Sequence, residues 1–347
     1  SITTYCGALP RGTNTSAFLT RAQAQNDFKT VMTTLQNTLM YGGWSDGGGS
    51  YGIGPVSEEF RLTQLYSWPL TSRCNIDLNL ANNDPALKVA VNQRGLDALE
   101  HLLFVETDAN HVCPDNFPIV HPQLNDFNAL DAGEKESRRC AAMLTISADA
   151  LSSAAALDSG WAADQGNFAA TMAGSTNPGE TLNHITDGMF YFEKLIKEDK
   201  LDKPTGGLIT NNPPSCGIGQ PCPDDVESPT ARVSKENLIE NMRAFQKLYL
   251  GGSSDPAAQL GFDDWLIEEG ESALAASFSA DIQSVIDALE AINGSLYDTI
   301  VNDIDTVNNL LSGNTSAPVK AVSDALRFEV MPALGLTLPQ GSASDTD

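Results

Sequence analysis

The chain has 347 residues, with 45 acidic and 20 basic side chains and a formal net charge of −25. Nucleic acid and anionic lipid are excluded as partners, because so negative a protein would be repelled by both. The length favours two domains over one, and no apolar run approaches the roughly 20 residues that a membrane-spanning helix needs.

The first part of the chain predicts helices separated by turns. Residues 1–14 read as irregular, and Thr15 or Ser16 then begins a long helix that ends at Gly42-Gly43. Its apolar residues recur at the spacing of a helix core face: Phe28, Val31, Met32, Leu35 and Leu39. A short helix is predicted over 74–80. Residues 107–130 carry three prolines and read as a long ordered loop.

Residues 92–105 predict the helix that carries the candidate site. Leucines at positions 96, 99 and 103 repeat at helical spacing, so one face should be buried. A second flank presents Asp97, Glu100 and His101, three side chains able to hold a metal ion or a proton. The pattern therefore predicts an amphipathic helix with a polar flank of chemical interest.

The segment Gly95-Leu96-Asp97-Ala98-Leu99-Glu100-His101-Leu102-Leu103-Phe104 resembles the signature of the imelysin-like family. The family pattern is Gly-x-His-x-x-Glu before an apolar run; Gly95 and Glu100 match it, and Asp97 stands where the family has histidine. Arg61 with Trp68-Pro69, and the Lys200 to Pro204 segment, resemble further family features. The resemblance implies an all-α protein of the bacterial cell envelope, built of two related helical bundles and linked to peptidase activity or iron uptake.

Further helices are predicted at 133–161, 178–200, 234–248, 262–278, 279–296 and 318–331. No segment alternates apolar and polar residues for long enough to predict a real sheet. The architecture is therefore all-α, with an N-terminal bundle over 1–205, which holds the signature helix, and a C-terminal bundle over 206–347. A short match between residues 39–46 and 248–255 indicates, together with the resemblance, that the bundles arose by duplication.

Six cysteines and no Cys-x-x-Cys motif favour disulfides and an oxidising compartment over a zinc site. Their spacing leaves the connectivity open; the pairs we expect are Cys216–Cys222 and Cys113–Cys140. Ser1 begins no signal peptide, so the protein is either cytosolic or already trimmed, and the cysteines favour trimming. With the resemblance, we expect a bacterial periplasmic protein or an outer-membrane-anchored lipoprotein.

The expected site consists of Asp97 and Glu100, with His101 as a further metal ligand, Gly95 allowing close backbone approach, and Arg61 as an anion partner. Carboxylates with one imidazole suit iron, manganese or zinc, so the expected cofactor is a divalent metal or iron, and otherwise none. The opposing interpretation is a structural one, in which Asp97 and His101 form an exposed pair one turn apart and Glu100 pairs with Arg61 or Arg94.

The function that the resemblance implies is a role in iron uptake as a binding or accessory component. The partner would then be iron, an iron-carrying ligand or another cell-envelope protein. Two alternatives stay open. A metallopeptidase would need three protein ligands and an open position on the metal, and the signature histidine is absent. A helical interaction scaffold would need no ligand at all.

Overall fold

The fold is helical throughout the described part of the chain, apart from one short antiparallel hairpin formed by β1 (Trp44–Asp46) and β2 (Gly49–Tyr51). A computed structural model describes residues 1–7, 15–42, 44–46, 49–51, 65–84, 90–106, 108–207, 209, 212–252, 259–312 and 317–338. The all-α prediction is confirmed for these residues. The duplication stays a prediction.

The helices up to residue 165 are α1 (Ile2–Gly7), α2 (Thr15–Gly42), α3 (Arg73–Ala81), α4 (Gly95–Phe104), α5 (Phe117–Val120), α6 (Gln123–Ala129) and α7 (Ala132–Trp161). Side-chain caps begin two of them. Ser72 Oγ accepts from the Asn75 N–H at the start of α3, and Asp131 does the same for the Glu134 N–H at the start of α7. Each cap satisfies an N–H group that the first helical turn leaves without a helix partner.

The later helices are α8 (Phe168–Ala173), α9 (Pro178–Met189), α10 (Lys203–Thr205), α11 (Ser234–Tyr249), α12 (Phe262–Glu268), α13 (Ser272–Glu290), α14 (Leu296–Asn302), α15 (Ile304–Leu311), α16 (Pro318–Ala325) and α17 (Met331–Ala333). Two π-helical segments accompany them, Phe192–Asp202 before α10 and Leu326–Val330 before α17. Single-turn π-helices are the common form, so the 11-residue segment is unusual.

The chain forms two compact units, the first made of residues 1–32 and 59–165 and the second of residues 33–58 and 166–347. Helix α2 therefore contributes its first part to one unit and its last turns to the other. The domain boundary predicted at 205/206 stays a prediction. The two compact units are divided at other positions, after residues 32, 58 and 165.

The first unit packs α4 against α7 and is closed by two disulfides, Cys6–Cys140 and Cys74–Cys113. The predicted Cys113–Cys140 pair is wrong. The spacing of two cysteines along a chain does not reveal which helix lies beside them, and here Cys140 of α7 meets α1 while Cys113 meets α3.

By length and composition alone, α7 could span a membrane, since its mean hydropathy reaches 1.5. A helix in the core of a bundle passes the same test. Buried Lys135, Glu136 and Arg139 and the disulfide at Cys140 tie α7 into the first unit. We therefore interpret α7 as a bundle helix of the first unit, with 33% of its most apolar stretch buried.

The second unit has an aromatic core and a polar centre. Phe245 of α11 lies between Phe192 and Phe278, with ring centroids 5.4 and 6.1 Å apart. Beside them, the Lys200 ammonium donates to Gln36 at 2.8 Å and Asn241 at 2.7 Å. It also lies 3.1 Å from the Glu227 carboxyl group, and both side chains are 1% exposed.

The Cys216–Cys222 disulfide, predicted from its short loop, is confirmed in this unit. Three sequence predictions of local structure need correction. Residues 2–7 are helical, and the predicted loop 107–130 contains α5 and α6. The two helices predicted over 262–278 and 279–296 are instead α12 and α13, and α13 runs through the predicted break at 278/279 and ends at Glu290. The break between α12 and α13 falls at Gly270, whose φ of +90° is left-handed and incompatible with a continuing α-helix.

Candidate functional site

Helix α4 begins with a backbone turn that glycine makes possible. Gly95 has a φ of +77°, in the left-handed region that side-chain-bearing residues avoid. The residue before it, Arg94, is extended, and its carbonyl accepts a hydrogen bond of 2.6 Å from Ser67 Oγ. Its guanidinium donates through Nε to Asp149 on α7 at 2.9 Å. The start of the signature helix is thus held by a hydroxyl and by an ion pair.

The other end of α4 is held by α2. The Leu103 carbonyl, one of those left over at a helix C-terminus, accepts from the Arg21 guanidinium at 3.1 Å and from the Gln25 amide at 3.1 Å. A cation at this end also complements the helix dipole. Both ends of α4 are therefore fixed inside the first unit.

The polar flank of α4 lies in the interior, as does the leucine face. Asp97, Glu100 and His101 are only 7%, 3% and 4% exposed. The structural interpretation of an exposed Asp97–His101 pair does not hold, because all three side chains are buried. Asp97 and Glu100 each interact with neighbouring groups of the protein. Arg61, the predicted anion partner, lies outside the described residues.

His101 is bonded to a carboxylate that the sequence analysis did not select. Its Nε2 lies 2.8 Å from Asp77 Oδ1, and Asp77 is itself 2% exposed on α3. The second oxygen of Asp77 accepts the backbone N–H of Val112 at 2.8 Å. This buried pair joins α4 to α3 and to the segment after α4. The assignment of His101 as a metal ligand stays a prediction.

The segment after α4 is also held by α7. The Arg139 guanidinium donates to the carbonyls of Glu106 at 3.2 Å and Ala109 at 2.6 Å. Burial lowers the pKa of Arg139, while the carboxylates of Glu136 and Asp77 raise it. Arginine stays charged under these conditions, so a fixed positive charge faces the carbonyls of this segment.

Asp77 and Arg139 are two of the polar residues of this region that sequence reasoning missed. One signal for Asp77 was available. Cys74 and Asp77 stand one turn apart on α3, and both reach the same segment, through the disulfide to Cys113 and the hydrogen bond to Val112. Arg139 offered no comparable pattern, since an arginine in a helix is most often exposed.

The polar side chains of α4 offer carboxylate oxygens and one imidazole. Among the described residues, no three His, Cys, Asp or Glu side chains come together as a metal-binding group. A catalytic zinc site needs three protein ligands and an open position. Asp97 and Glu100 provide carboxylate oxygens, which suit hard cations and iron, and the His101 Nε2 atom is engaged by Asp77.

Comparison with known proteins gives a family match over most of the chain. The sequence profile of the imelysin family, described as Imelysin and classed as peptidase M75, matches residues 13–320. No curated protein matches the chain.

Two solved structures share the fold. An imelysin-like protein from Psychrobacter arcticum 273-4 has a TM-score of 0.58 at 14% identity, over 97% of this chain and 87% of that one. A putative iron-regulated protein A precursor from Parabacteroides distasonis ATCC 8503 has a TM-score of 0.60 at 16% identity, over 96% of this chain and 87% of that one. At these identities the likeness concerns the fold alone.

Proposed function

Since the chain belongs to the imelysin family, we propose that it acts in the bacterial cell envelope as a binding or accessory component of iron acquisition. One relative in fold carries the name iron-regulated protein A precursor, which supports both the iron link and a location outside the cytosol. The three disulfides support the same location, because such bonds persist in oxidising compartments. The periplasm or the outer-membrane surface, as a lipoprotein, is the compartment we propose.

The observation that carries the proposal is the burial of two carboxylates on the signature helix. Asp97 and Glu100 lie one turn apart on α4, at 7% and 3% exposure. Holding two ionised carboxylates this close and out of water costs free energy unless positive charge or hydrogen bonds compensate. A bound cation would supply compensating positive charge in addition to the protein groups that already contact these carboxylates.

We therefore propose that Asp97 and Glu100 contribute carboxylate oxygens to a site for a divalent metal, iron or an iron-carrying ligand. The left-handed turn at Gly95 sets the start of the helix, and with it the position of Asp97 two residues on. His101 stays a predicted further ligand through its Nδ1 atom, because only its Nε2 atom is hydrogen-bonded to Asp77. A binding role asks less of this donor set than peptide hydrolysis, which needs a third ligand and a general base.

The test compares metal content and stability in matched variants. The full chain is purified without chelator, incubated with ferrous ion or ferric citrate, desalted and analysed by mass spectrometry for bound metal. Glu100→Gln and Asp97→Asn should reduce bound iron and leave the helix content unchanged, because each swap keeps the shape and removes the charge. Glu106→Gln is the control, since Glu106 is an exposed carboxylate just beyond α4.

Three results would redirect the proposal. A lower melting temperature for Glu100→Gln with undiminished metal content would make Glu100 a structural partner. A wild-type protein that binds no metal and no iron-carrying ligand would favour an interaction scaffold. Casein cleavage that is abolished by EDTA and by Glu100→Gln would favour the metallopeptidase.

A further inference from the structure

The loop closed by the Cys216–Cys222 disulfide lies on the surface of the second unit. All six cysteines belong to the described part of the chain, and among them Cys216 alone is exposed, while its partner Cys222 is fully buried. At Gly217 and Gly219, on either side of the exposed Ile218, no atom beyond the chain neighbours lies within 4 Å of the position that a Cβ would take. The bridge is therefore open to a thiol from solvent on the Cys216 side.

The buried sulfur atom of the bridge is the one suited to leave. The backbone N–H of Cys216 donates to Cys222 Sγ at 2.8 Å. Thiol–disulfide exchange is faster when the departing thiol has a lower pKa, and a hydrogen bond to the thiolate favours that charged form. Attack at Cys216 would therefore release Cys222 as a stabilised thiolate.

The fold does not depend on this bridge being closed. Its cysteines stand only 6 positions apart, against 39 and 134 for the other two bridges, so its loss restores the least entropy to the unfolded chain. Hydrogen bonds also hold the loop on α10 and the residue after it. The Gly219 N–H donates to the Gly206 carbonyl at 2.7 Å, and the Cys222 N–H donates to the Pro204 carbonyl at 2.8 Å.

The loop leads directly into the polar centre of the second unit. A short way beyond Cys222, the buried Glu227 carboxyl group accepts from the Gln36 amide and from the Asn237 amide, each at 3.0 Å. Lys200, whose ammonium lies 3.1 Å from that carboxyl group, stands on the long π-helical segment that runs into α10. The loop is thus connected to both sides of this centre, through the chain to Glu227 and through α10 to Lys200.

We propose that Cys216–Cys222 is a thiol–disulfide exchange site, at which a dithiol reductant opens the bridge in the folded protein and loosens the segment that carries Glu227. A thiolate of the reductant bonds to the Cys216 sulfur, the bond between the two cysteines breaks, and Cys222 leaves as a thiolate that takes a proton from water. The second thiol of the reductant then displaces Cys216. The reductant is oxidised to its disulfide, and the electron pair passes to the two cysteines. This role is independent of the proposed iron site on α4.

The first test treats the full oxidised chain with dithiothreitol under native conditions, followed by alkylation and mass spectrometry of the modified cysteines. Cys216 and Cys222 should become open to alkylation about tenfold or more faster than the cysteines of the first unit, because those are reached only when the fold opens. With 2-mercaptoethanol in place of dithiothreitol, the mixed disulfide should map to Cys216 and the alkylated thiol to Cys222. Far-ultraviolet circular dichroism should stay unchanged during the reduction.

The second test measures amide hydrogen exchange, which reports the coupling to the polar centre. Cys216→Ser/Cys222→Ser reproduces the open loop, and residues 226–234 should exchange severalfold faster in it than in wild type. Cys74→Ser/Cys113→Ser is the matched control, because it removes a bridge of the first unit. It should leave the exchange of residues 226–234 unchanged.

Four results would overturn the proposal. One is a bridge of the first unit that opens as fast as Cys216–Cys222. Another is a mixed disulfide on Cys222 in place of Cys216. A loss of helix content on reduction of this bridge would make it a structural staple. Equal exchange of residues 226–234 in wild type and Cys216→Ser/Cys222→Ser would show that the loop does not act on the polar centre.

Discussion

The two disulfides that close the longest and shortest loops should stabilise the protein unequally. Cys6–Cys140 joins residues 134 apart in sequence, and Cys216–Cys222 joins residues 6 apart. Each bridge stabilises the folded protein chiefly by reducing the conformational entropy of the unfolded chain. This reduction grows with the logarithm of the loop length. The expected contributions are about 5 kcal/mol for the long loop and about 2 kcal/mol for the short one. The Cys74–Cys113 bridge, nested in the long loop, lowers the first figure by only a few tenths of a kcal/mol.

The assay is equilibrium unfolding in guanidinium chloride without reductant, followed by circular dichroism. Cys6→Ala/Cys140→Ala should lose about 2 to 3 kcal/mol more than Cys216→Ala/Cys222→Ala. Alkylation and mass spectrometry confirm that the remaining cysteines are still paired in each variant. Equal losses, or a larger loss for the short loop, would refute the loop-entropy reasoning and would indicate that local packing around each bridge decides its contribution.

Three more predictions concern buried and exposed polar groups. His101→Leu should cost about 1 to 3 kcal/mol of unfolding free energy, because it leaves the buried Asp77 Oδ1 atom without its hydrogen-bond partner; a loss under 1 kcal/mol in thermal or chemical unfolding would contradict this. Asp149→Asn should cost no more than about 1 kcal/mol, because its ion pair with Arg94 is partly exposed, and a larger loss would show that this pair is desolvated. Burial raises the pKa of Glu227 to about 8, so the stability that this group contributes is present at acid pH and is lost as the pH rises through 8. We expect the unfolding free energy of the wild type, measured as a function of pH, to fall relative to that of Glu227→Gln by at most about 1.4 kcal/mol per pH unit as the pH approaches 8. If the unfolding free energies of the two proteins depend on pH in the same way, the raised pKa of Glu227 is refuted.

The local structure around the candidate site could be predicted from the sequence. The leucine spacing of residues 96, 99 and 103 and the glycine at 95 predicted a helix over 92–105, and α4 spans Gly95–Phe104. Helix periodicity and a left-handed glycine are properties of neighbouring residues, which the sequence displays directly. The assignment of Asp97 and Glu100 as ligands stays a prediction.

The partners across the first unit were not visible in the sequence. His101 meets Asp77, which lies 24 positions earlier, and Cys140 meets Cys6, which lies 134 positions earlier. Six cysteines permit fifteen pairings of equal standing. The choice among them depends on which helices lie side by side, and that is decided by the packing of whole apolar faces.

Composition, charge and periodicity determined the helical class, the disulfides as a feature and the signature helix, because each depends on residue type or on short-range spacing. Only the tertiary structure decided that the polar flank of α4 is buried and that Asp77 holds His101. Burial and hydrogen bonding between distant segments depend on how the helices pack, and no local pattern in the chain encodes that arrangement.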